Sequence, residues 1–489
     1  MERDQRYTQQ LSDEQPYQSS NRPLLLNSVD LDDSKPNEEN EVKTKLTPTS
    51  IVVSSFVIIL VVTILIVFCL HDIKRLAPPG KPTCDDPCKI TIVESIPENH
   101  TYVEGSPTHL SLFQGWKNLI SISEDSIDIA SHYFSLRGVD VAPGPSAWQG
   151  EQIFTDILEA GTTRGINIRM VESTPIGDRQ AFKDTGDLSD AGAAEVRRLD
   201  MSGFMQSNTG ILHSKMMLVD GKHFYIGSAN LDWRSLTQKK DLGVIVYNCS
   251  CLAQDIGKIF EIYWYMSSPD AILPFEWSVQ YDTRYNAVTP LELKLNNTNA
   301  KALLSSSPPE LTPAGRSTGM DAVLDVIGSA KTFVSISVTS YLPALKNKNP
   351  QRYWSLIDDK LRTVAFNKNI HIRLLVDAEN NASTEATKFL HSLVDLDGIR
   401  GRIEIKLYTV PSYTEEQRNI PRARLNHNKF MVTDRAVYIG NSDWEGDFFI
   451  NDSGIGFVIY ENGQLQQQLL DVFDRDWNSQ YAASLNATH

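Results

Sequence analysis

Positive charge is scarce in this sequence. Among its 489 residues, 46 are Lys or Arg and 61 are Asp or Glu, so the formal net charge is −15 with neutral histidines. A protein that wraps duplex nucleic acid without regard to sequence needs a broadly basic surface, and this composition excludes that class. It still allows a small basic site within an acidic body. Histidine is absent from the first 70 residues, so in an acidic compartment all ten histidines would add positive charge to the rest of the chain.

Cysteine is also scarce, with five in the whole chain. Cys69 lies inside an apolar run, and the other four are Cys84, Cys88, Cys249 and Cys251. Their C-x-x-x-C and C-x-C spacings lack the wider loops and the histidines that usually accompany a zinc site. In an oxidising compartment, two disulfides that tie the first segment to the second are the more natural interpretation. The sequence leaves open which cysteine pairs with which.

Long apolar runs are missing except for one, at residues 51–70. This run reads IVVSSFVIILVVTILIVFCL and carries no charge. As a helix it is long enough to cross the ~30 Å hydrocarbon core of a bilayer. A cleaved secretory signal has a shorter apolar region close to the N-terminus, whereas a polar segment of fifty residues precedes this run. We therefore predict an uncleaved signal anchor.

Glycosylation sequons indicate the side of the membrane on which the body lies. Basic residues flank the apolar run on both sides, so the positive-inside rule does not decide its orientation. Every N-x-S/T sequon follows the run and none precedes it. We therefore predict a type II protein with a lumenal body that is glycosylated at Asn99, Asn248, Asn296, Asn381, Asn451 and Asn486.

The rest of the chain contains an internal duplication. Residues 112–122 have helical spacing and precede a strand-like alternation at 126–133, and residues 320–329 and 332–341 repeat this order. Helix-then-strand units of this kind are typical of a sheet covered by helices. We predict an α/β fold of two lobes related by a pseudo-two-fold axis, each a mixed sheet flanked by helices, behind a single N-terminal transmembrane helix.

The predicted domains follow from these boundaries. They are a disordered cytosolic tail (1–50), the signal anchor (51–70), a stalk (71–90), a first lobe (91–290) and a second lobe (291–489).

One polar motif occurs in each predicted lobe. Residues 213–230 read HSKMMLVDGKHFYIGSAN, and residues 427–443 read HNKFMVTDRAVYIGNSD. Both contain H-x-K-x-x-x-x-D followed by Y-I-G and a small polar cluster. A single H-x-K on a strand is usually only a surface pattern, but two copies with shared flanks and shared order are not easily produced by chance. The duplicated motif is the strongest functional signal in the sequence.

Each motif places its histidine and its lysine on the same face of a strand, because residues two apart point to the same side. These residues are His213 with Lys215 and His427 with Lys429. Two lysines can hold the oxygens of a phosphodiester and stabilise a pentacoordinate transition state. One histidine can attack phosphorus to form a phosphohistidine, and the other can protonate the leaving oxygen and then activate water. We predict that no metal or other cofactor is required.

Further polar residues complete the predicted site. Asp220 and Asp434 would fix the tautomer and orientation of the histidines if each reaches the histidine of its own half. Ser228 and Asn230 lie two apart and can add donors from the next strand. The predicted phosphate-binding set is Lys215, Ser228, Asn230, Lys429, Ser442 and Asp443. We interpret His132 as a packed histidine, and Trp233 and Trp444 as core residues rather than base-stacking platforms.

The duplicated H-x-K-x-x-x-x-D motif resembles that of the phospholipase D superfamily, in which it occurs twice per active site. The sequence is most similar to the animal endolysosomal phospholipase-D-like 5′→3′ exonucleases. The similarity is carried by VESIPE (93–98), HSKMMLVD with GSANLDWRSLTQ (213–238), LGVIVYNCSCL (242–252) and FDRDWNSQYA (473–482). It runs from about residue 84 to the end and includes the type II anchor, but not the tail.

This resemblance implies a two-lobed phospholipase-D-type fold that cleaves single-stranded DNA or RNA from a free 5′ end at acidic pH. It also implies a second activity, transphosphatidylation of lysophospholipid to bis(monoacylglycero)phosphate. The implied location is the endoplasmic reticulum, the Golgi and the late endosome or lysosome, with proteolytic release of the lumenal domain. Similar nucleases suggest His427 as nucleophile and His213 as proton donor, although the sequence by itself is symmetric in this respect.

Asp443 departs from the pattern of the active relatives, which would have Asn there. An ionised carboxylate cannot donate to a phosphate oxygen and would repel it. Both histidines and both lysines are present, so we favour an active enzyme with an altered second half-site. Two alternatives stay open: a lipid phosphodiesterase or transphosphatidylase, and a catalytically impaired membrane glycoprotein. The expected partners are single-stranded nucleic acid, lysophospholipid, a membrane through one helix and a second copy of the chain in a homodimer.

Overall fold

The computed structural model describes residues 81–174, 183–205 and 208–485, all within one compact unit. The predicted tail, the predicted anchor, residues 71–80 of the stalk and Asn486 lie outside these ranges, so the predictions for them stay predictions. The prediction of a stalk is wrong for residues 84–90, because Cys84 and Cys88 are buried and disulfide-bonded to the body and a strand begins at Lys89. Across the described ranges, no helix is both long and apolar enough to cross a bilayer.

The first half of the chain builds an eight-stranded mixed sheet with the order β2-β1-β10-β8-β7-β3-β5-β6, and β4 pairs separately with β9. The strands are β1 (Lys89–Glu94), β2 (Leu110–Ser111), β3 (Ser126–Ser131), β4 (Phe134–Ser135), β5 (Asn167–Ser173), β6 (Glu195–Leu199), β7 (Lys215–Val219), β8 (His223–Gly227), β9 (Leu231–Asp232) and β10 (Leu242–Tyr247). The helices are α1 (Leu112–Ser121), α2 (Trp148–Thr162), α3 (Lys183–Asp190), α4 (Trp233–Thr237) and α5 (Ser250–Met266).

The second half builds a nine-stranded sheet with the order β11-β12-β22-β20-β19-β13-β17-β18-β23, and β14 pairs with β21 and β15 with β16. The strands are β11 (Leu291–Leu295), β12 (Thr298–Ser307), β13 (Phe333–Val338), β14 (Tyr341–Leu342), β15 (Ala344–Leu345), β16 (Arg352–Tyr353), β17 (His371–Asp377), β18 (Arg402–Tyr408), β19 (Lys429–Thr433), β20 (Ala436–Gly440), β21 (Trp444–Glu445), β22 (Gly454–Tyr460) and β23 (Ala482–Ser484). The helices are α6 (Gly319–Ser329), α7 (Leu356–Lys368), α8 (Thr384–Val394), α9 (Glu415–Asn419), α10 (Asp447–Ile450) and α11 (Gly463–Trp477).

The two sheets repeat one topology. Seven strands in the order β1-β10-β8-β7-β3-β5-β6 correspond to β12-β22-β20-β19-β13-β17-β18. In both halves the motif strand, β7 or β19, runs antiparallel to its two neighbours, and the three strands beyond it run parallel to one another. The predicted α/β class is confirmed, and the repeated strand order agrees with the duplication seen in the sequence.

Local sequence sets the helix ends at equivalent positions of the two halves. Ser111 caps α1 by accepting the N–H of Gln114, and Thr318 caps α6 by accepting that of Asp321. Both helices agree with the predicted ones to within one residue at either end. The strands that follow, β3 and β13, are shorter than predicted, because the residues after them leave the ladder where the central cavity begins.

The apolar core has three parts. One lies between the first sheet and helices α1 and α2, and a second lies between the second sheet and helices α6 and α7. The third lies between the halves, where side chains of both sheets pack with α5 and α11, and the rings of Phe224 and Phe457 lie 5.9 Å apart. Burial of this shared layer joins the two halves into a single body.

Two disulfides fasten the start of β1 to the start of α5. Cys84 pairs with Cys251, and Cys88 pairs with Cys249. The two segments are thus joined as predicted, and the structure adds the pairing that the sequence left open. Because each bond closes a loop of more than 160 residues, each restricts the unfolded chain strongly.

Candidate active site

The two motif histidines lie where the halves meet. His213 lies two residues before the start of β7, and His427 lies two residues before the start of β19. The N–H of His213 donates to the Ser453 carbonyl at 3.2 Å, and the N–H of His427 donates to the Lys240 carbonyl at 2.8 Å. Each acceptor belongs to the other half, in the segment that leads into β22 or β10. These reciprocal bonds bring both motifs to one place.

A single cavity of about 570 Å³ contains both histidines. Its walls come from both halves and carry His132, Tyr133, His213, Asn230, Lys239, Thr339, Glu379, Asn380, Ser412, Gln417, Arg418, Ile420, Pro421, Arg422, Ala423, Arg424, Leu425, His427 and Asp443. A cavity of this volume can take a small ligand or one end of a flexible strand.

The motif lysines lie behind the histidines and are almost fully buried. Lys215 Nζ donates to the His213 carbonyl at 2.6 Å, and Lys429 Nζ donates to Thr339 Oγ1 at 2.7 Å and to the His427 carbonyl at 3.3 Å. Burial, followed by the charge of Lys429, lowers the pKa of Lys215 well below its ordinary value. A bound phosphate would offset this cost, so the lysine pair is arranged to stabilise an anion.

His427 is held by a carboxylate that sequence reasoning did not single out. Its Nδ1 lies 2.6 Å from Asp241 Oδ1, and Ser228 Oγ donates to the same oxygen at 2.6 Å. Burial, followed by the charge of Lys429, lowers the pKa of His427 to about 4, although Asp241 acts in the opposite direction. The ring is therefore neutral above about pH 4. In the tautomer that suits this contact, Nδ1–H donates a hydrogen bond to Asp241 and Nε2 keeps a free lone pair for chemistry.

His213 has a different environment. Among the described residues its Nδ1 has no hydrogen-bond partner, and its ring packs against Phe448 and His132 at centroid distances of 4.8 and 5.5 Å. Burial, followed by the charge of Lys215, holds the pKa of His213 well below its ordinary value. The two histidines are therefore chemically unequal, although their sequence motifs are nearly identical.

The prediction that Asp220 and Asp434 orient these histidines is wrong. Asp220 accepts the backbone N–H groups of residues 124–126 at 2.9 to 3.0 Å, and Asp434 accepts those of residues 331 and 332 at 2.9 and 3.1 Å. Each aspartate follows a five-residue motif strand whose other end carries the histidine, so roughly 16 Å of strand separates the two groups. Both carboxylates fix a loop instead.

The small polar residues after each motif divide into two groups. Asn230 and Asp443 line the cavity, and Asp443 Oδ1 lies 3.2 Å from Lys429 Nζ. Ser228 is fully buried, and its hydroxyl donates to the Asp241 carboxylate that orients His427. It therefore supports His427 indirectly instead of contacting phosphate as predicted. Ser442 is also buried and, like the two motif lysines, does not line the cavity, so its predicted phosphate contact stays a prediction.

His132 belongs to the cavity rather than to the core. It is half-buried and lines the cavity beside His213, and its pKa is lowered to about 3, first by burial and then by the charge of Lys215. Trp233 and Trp444 are buried to 1% and 2% exposure, as expected for core residues.

Sequence reasoning missed Asp241 and the loop that ends at Leu425. No motif marks Asp241, which is the last residue before β10. The strand register gives Gly454 as the counterpart of Asp241 in the other half. Because glycine has no carboxylate, an alignment of the two repeats does not reveal Asp241 either. The loop contains only one short helix, and no motif or periodic pattern in the sequence marks it as part of the site.

The four described cysteines are bonded to one another, which makes them poor metal ligands. Two groups of close metal-ligand side chains occur in the part of the chain that the structure describes, and both consist of disulfide cysteines, one with Asp86. A disulfide sulfur is not a thiolate and is not a good ligand for zinc.

The sequons differ in exposure. Asn99, Asn248 and Asn296 are exposed, which suits glycosylation, although the Asn296 amide also donates to the Ile90 carbonyl at 2.8 Å. Asn381 is buried and its amide donates to two backbone carbonyls at 2.8 Å, while the amide of Asn451 donates to a buried carboxylate at 2.7 Å. Both side chains are buried, so a glycan at either position would require the surrounding structure to open, and the fold argues against the predictions for Asn381 and Asn451.

Comparison with known proteins places this geometry in a family. The family described as "PLD3/4, PLD-like domain" matches residues 103–413. The chain is 45% identical to 5'-3' exonuclease PLD3 of Xenopus laevis over 412 residues, which cover 82% of each chain. It is 41% identical to the human protein of that name over 428 residues, 85% of each chain. It is 38% identical to human 5'-3' exonuclease PLD4 over 410 residues, 82% of this chain and 80% of the other.

A solved structure agrees at the level of the fold. The phosphatidylserine synthase of Haemophilus influenzae matches with a TM-score of 0.52 and 12% identity, over 76% of this chain and 84% of that one. Together with the duplicated motif and the shared cavity, these matches show that the chain belongs to the PLD3/4 family of PLD-like domain proteins, within the phospholipase D superfamily of phosphodiesterases.

Proposed function

We propose that this protein is a lumenal 5′→3′ exonuclease that degrades single-stranded DNA or RNA at acidic pH. The observation that carries the proposal is the unequal pair of histidines in one cavity, with His427 oriented by Asp241 and a buried lysine bonded to the backbone carbonyl of each histidine. Relatives named as 5'-3' exonucleases support the reaction class and a nucleic acid substrate.

In this mechanism His427 is the nucleophile. Its Nε2 lone pair attacks phosphorus, and the bond from phosphorus to the leaving oxygen breaks as the N–P bond forms. Lys215 and Lys429 stabilise the negative charge on the non-bridging oxygens, so the proposal requires no metal ion. Asp241 stabilises the positive charge that develops on the His427 ring.

His213 moves the protons in the same mechanism. In the substrate complex it is protonated, because the anionic phosphate offsets the burial that lowers its pKa in the free protein. It gives this proton to the leaving oxygen. The neutral ring then takes a proton from water, whose oxygen attacks phosphorus, and the N–P bond breaks to restore His427.

The substrate and the location are supported by separate features. The narrow cavity and the acidic body favour one strand over a duplex, which would need a broad basic face. Two disulfides and the exposed sequons at Asn99, Asn248 and Asn296 favour an oxidising lumen as the place of action.

The test is to incubate the purified lumenal part with single-stranded oligonucleotides at about pH 5. One oligonucleotide carries a free 5′-hydroxyl and its match carries a blocked 5′ end. We expect stepwise shortening of the first and resistance of the second, with loss of turnover in His213→Ala and His427→Ala. Equal resistance of both oligonucleotides would overturn the exonuclease proposal.

Quenching single-turnover reactions in denaturant at alkaline pH, where a phosphohistidine is stable, tests the intermediate. A nucleotide bound to the parent protein and absent from His427→Ala would support the phosphohistidine, and its presence in both would contradict it. Lysophosphatidylglycerol is offered to the same preparations, because its turnover without oligonucleotide cleavage would indicate the lipid reaction instead. If neither substrate is turned over, the impaired glycoprotein is the better description, with Asp443 as its cause.

A further inference from the structure

One wall of the cavity is a loop that sequence reasoning left without a role. We call residues 411–425 the wall loop; it contains α9 and ends two residues before His427. Most of its second part lines the cavity, from Gln417 to Leu425. It therefore stands beside the reacting histidine and faces the space into which a substrate would extend.

The wall loop is fixed by bonds to both halves of the molecule. Arg234 Nη1 donates to the Pro421 carbonyl at 2.7 Å. The guanidinium of Arg424 donates to the carbonyls of Pro411 and Glu98, at 2.6 and 3.1 Å, and the N–H of Arg424 donates to the Gln238 carbonyl at 3.1 Å. A loop with this many backbone bonds holds its conformation without a ligand.

Arg422 lies between these two fixed points in an unfavourable backbone conformation. Its φ is 55°, in the left-handed region that side chains other than Gly, Asn and Asp seldom adopt. Such strain persists only where the surroundings impose it, and it clusters at binding sites. The flanking bonds of the wall loop impose it here, and they turn position 422 toward the cavity that it lines.

The Arg422 guanidinium differs from the other cations of the cavity. Arg418 pairs with Glu415, Lys239 with Asp232, and Arg424 is held by carbonyl groups as described. Within the described ranges, no hydrogen bond or ion pair involves the exposed side chain of Arg422. Its charge is nevertheless felt in the cavity, where it adds to burial in lowering the pKa of His132.

We propose that Arg422 binds the first phosphate on the 3′ side of the scissile one and so sets the path of the strand out of the cavity. The proposal rests on the exonuclease function above. A guanidinium can hold a phosphate through two parallel N–H bonds, and an arginine with no partner among the described residues keeps both available. Because the buried lysines serve the scissile phosphate, Arg422 is the cation placed to receive the next one.

The experiment measures cleavage of two minimal substrates by the full-length protein. A dinucleoside monophosphate has only the scissile phosphate, and a trinucleoside diphosphate adds the one assigned to Arg422. For Arg422→Gln we expect kcat/KM on the longer substrate to fall about tenfold, mainly through KM, and at least several times more than on the shorter one. The slope of log affinity for a longer oligonucleotide against log salt becomes shallower by about 0.7.

Two further variants separate binding from folding. Arg422→Asn suits the left-handed backbone, so its Tm should equal or exceed that of the parent while its preference for the longer substrate is lost. Arg435→Gln removes an exposed arginine at the far end of β19 and should match the parent on both substrates. A lowered Tm together with equal losses on both substrates would overturn the assignment, as would unchanged kinetics of Arg422→Gln.

Failure of the exonuclease proposal is distinguishable from failure of this one. If the parent cleaves neither minimal substrate, the proposed function fails, and the role of Arg422 is then decided by anisotropy of a labelled single-stranded oligonucleotide. Weaker binding by Arg422→Gln than by Arg435→Gln supports a phosphate contact, and equal binding contradicts it.

Discussion

At the scale of single residues, the two half-sites have diverged while keeping their histidines and lysines. Asp241 stands behind His427, whereas the corresponding position of the other half is Gly454. In the proposed mechanism, this difference makes one histidine the oriented nucleophile and the other the proton donor. The asymmetry depends on residues that flank the motifs and not on the motifs themselves.

Asp241→Asn should lower kcat at least 100-fold, because the neutral amide cannot stabilise the charged His427 ring. His427 must be neutral to attack, so activity falls as the pH drops through its pKa of about 4. Asp241 raises that pKa, and its removal should move the acidic limb of the kcat/KM profile to lower pH. Ser228→Ala keeps the carboxylate and should have a smaller effect. An unchanged acidic limb in Asp241→Asn would contradict the assignment.

Asp443→Asn should raise activity near neutral pH by about tenfold. The carboxylate lies 3.2 Å from Lys429 Nζ, where it competes with phosphate for the lysine and repels the phosphate. The amide removes the charge and adds a donor, whereas Asp443→Ala only removes the charge and should raise activity less. Both variants are measured as kcat/KM on a 5′-hydroxyl oligonucleotide at pH 7. Lower activity in both would show that Asp443 assists the reaction.

At the scale of elements, each motif strand carries chemistry at one end and structure at the other. The histidine precedes the strand, and the aspartate after it accepts backbone N–H groups of the loop that leads into the neighbouring strand. The spacing that the two motifs share therefore reflects two separate requirements, a reactive histidine at one end of the strand and a fixed loop at the other. The sequence alone suggested that both residues serve one site.

Asp220→Asn should destabilise the fold by about 1–2 kcal/mol, because backbone bonds to a carboxylate are stronger than those to an amide. Partial burial raises the pKa of Asp220, but the backbone bonds together outweigh it and hold the pKa below its ordinary value. The stabilisation is present above the unfolded pKa near 4 and is lost as the pH falls through the folded value.

Urea unfolding at pH 7 and pH 3.5 measures this difference for Asp220→Asn, and for Asp434→Asn as its counterpart in the second half. The difference from the parent should shrink at the lower pH. The kcat of both variants should stay within a few-fold of the parent, because neither carboxylate reaches a histidine. A loss comparable to that of His427→Ala would restore a catalytic role for these residues.

At the scale of the whole molecule, the halves are joined directly behind the site. Asp452 Oδ1 accepts the N–H of Ile211 at 2.9 Å, next to the bond between His213 and Ser453. Burial raises the pKa of Asp452 to about 7. In the folded protein this carboxyl is thus neutral in an acidic compartment and ionises at a cost near neutral pH.

Asp452→Asn should become more stable than the parent as the pH rises from 4 to 7. Over that range the parent carboxyl is ionised when unfolded and protonated when folded, so the parent loses up to about 1.4 kcal/mol of stability per pH unit. The amide does not titrate and can still accept the N–H of Ile211. Denaturant midpoints of both proteins at pH 5 and pH 7 measure the effect. A constant difference between them would contradict it.

Much of this architecture follows from the sequence alone. Periodicity and caps set α1 and α6, and the repeated order of elements predicted two similar α/β lobes. The duplicated motif identified His213, Lys215, His427 and Lys429, because strand geometry puts residues two apart on the same face. These features depend on neighbours in the chain, so the sequence determines them.

Tertiary structure decided which residues far apart in the sequence come into contact at the site. It separated Asp220 and Asp434 from the histidines, because a strand carries its two ends apart. It brought Asp241 to His427 across 186 residues, and it turned Arg422 toward the cavity by fixing the wall loop on either side. Such contacts arise only when two sheets pack across a shared core, so no local pattern records them.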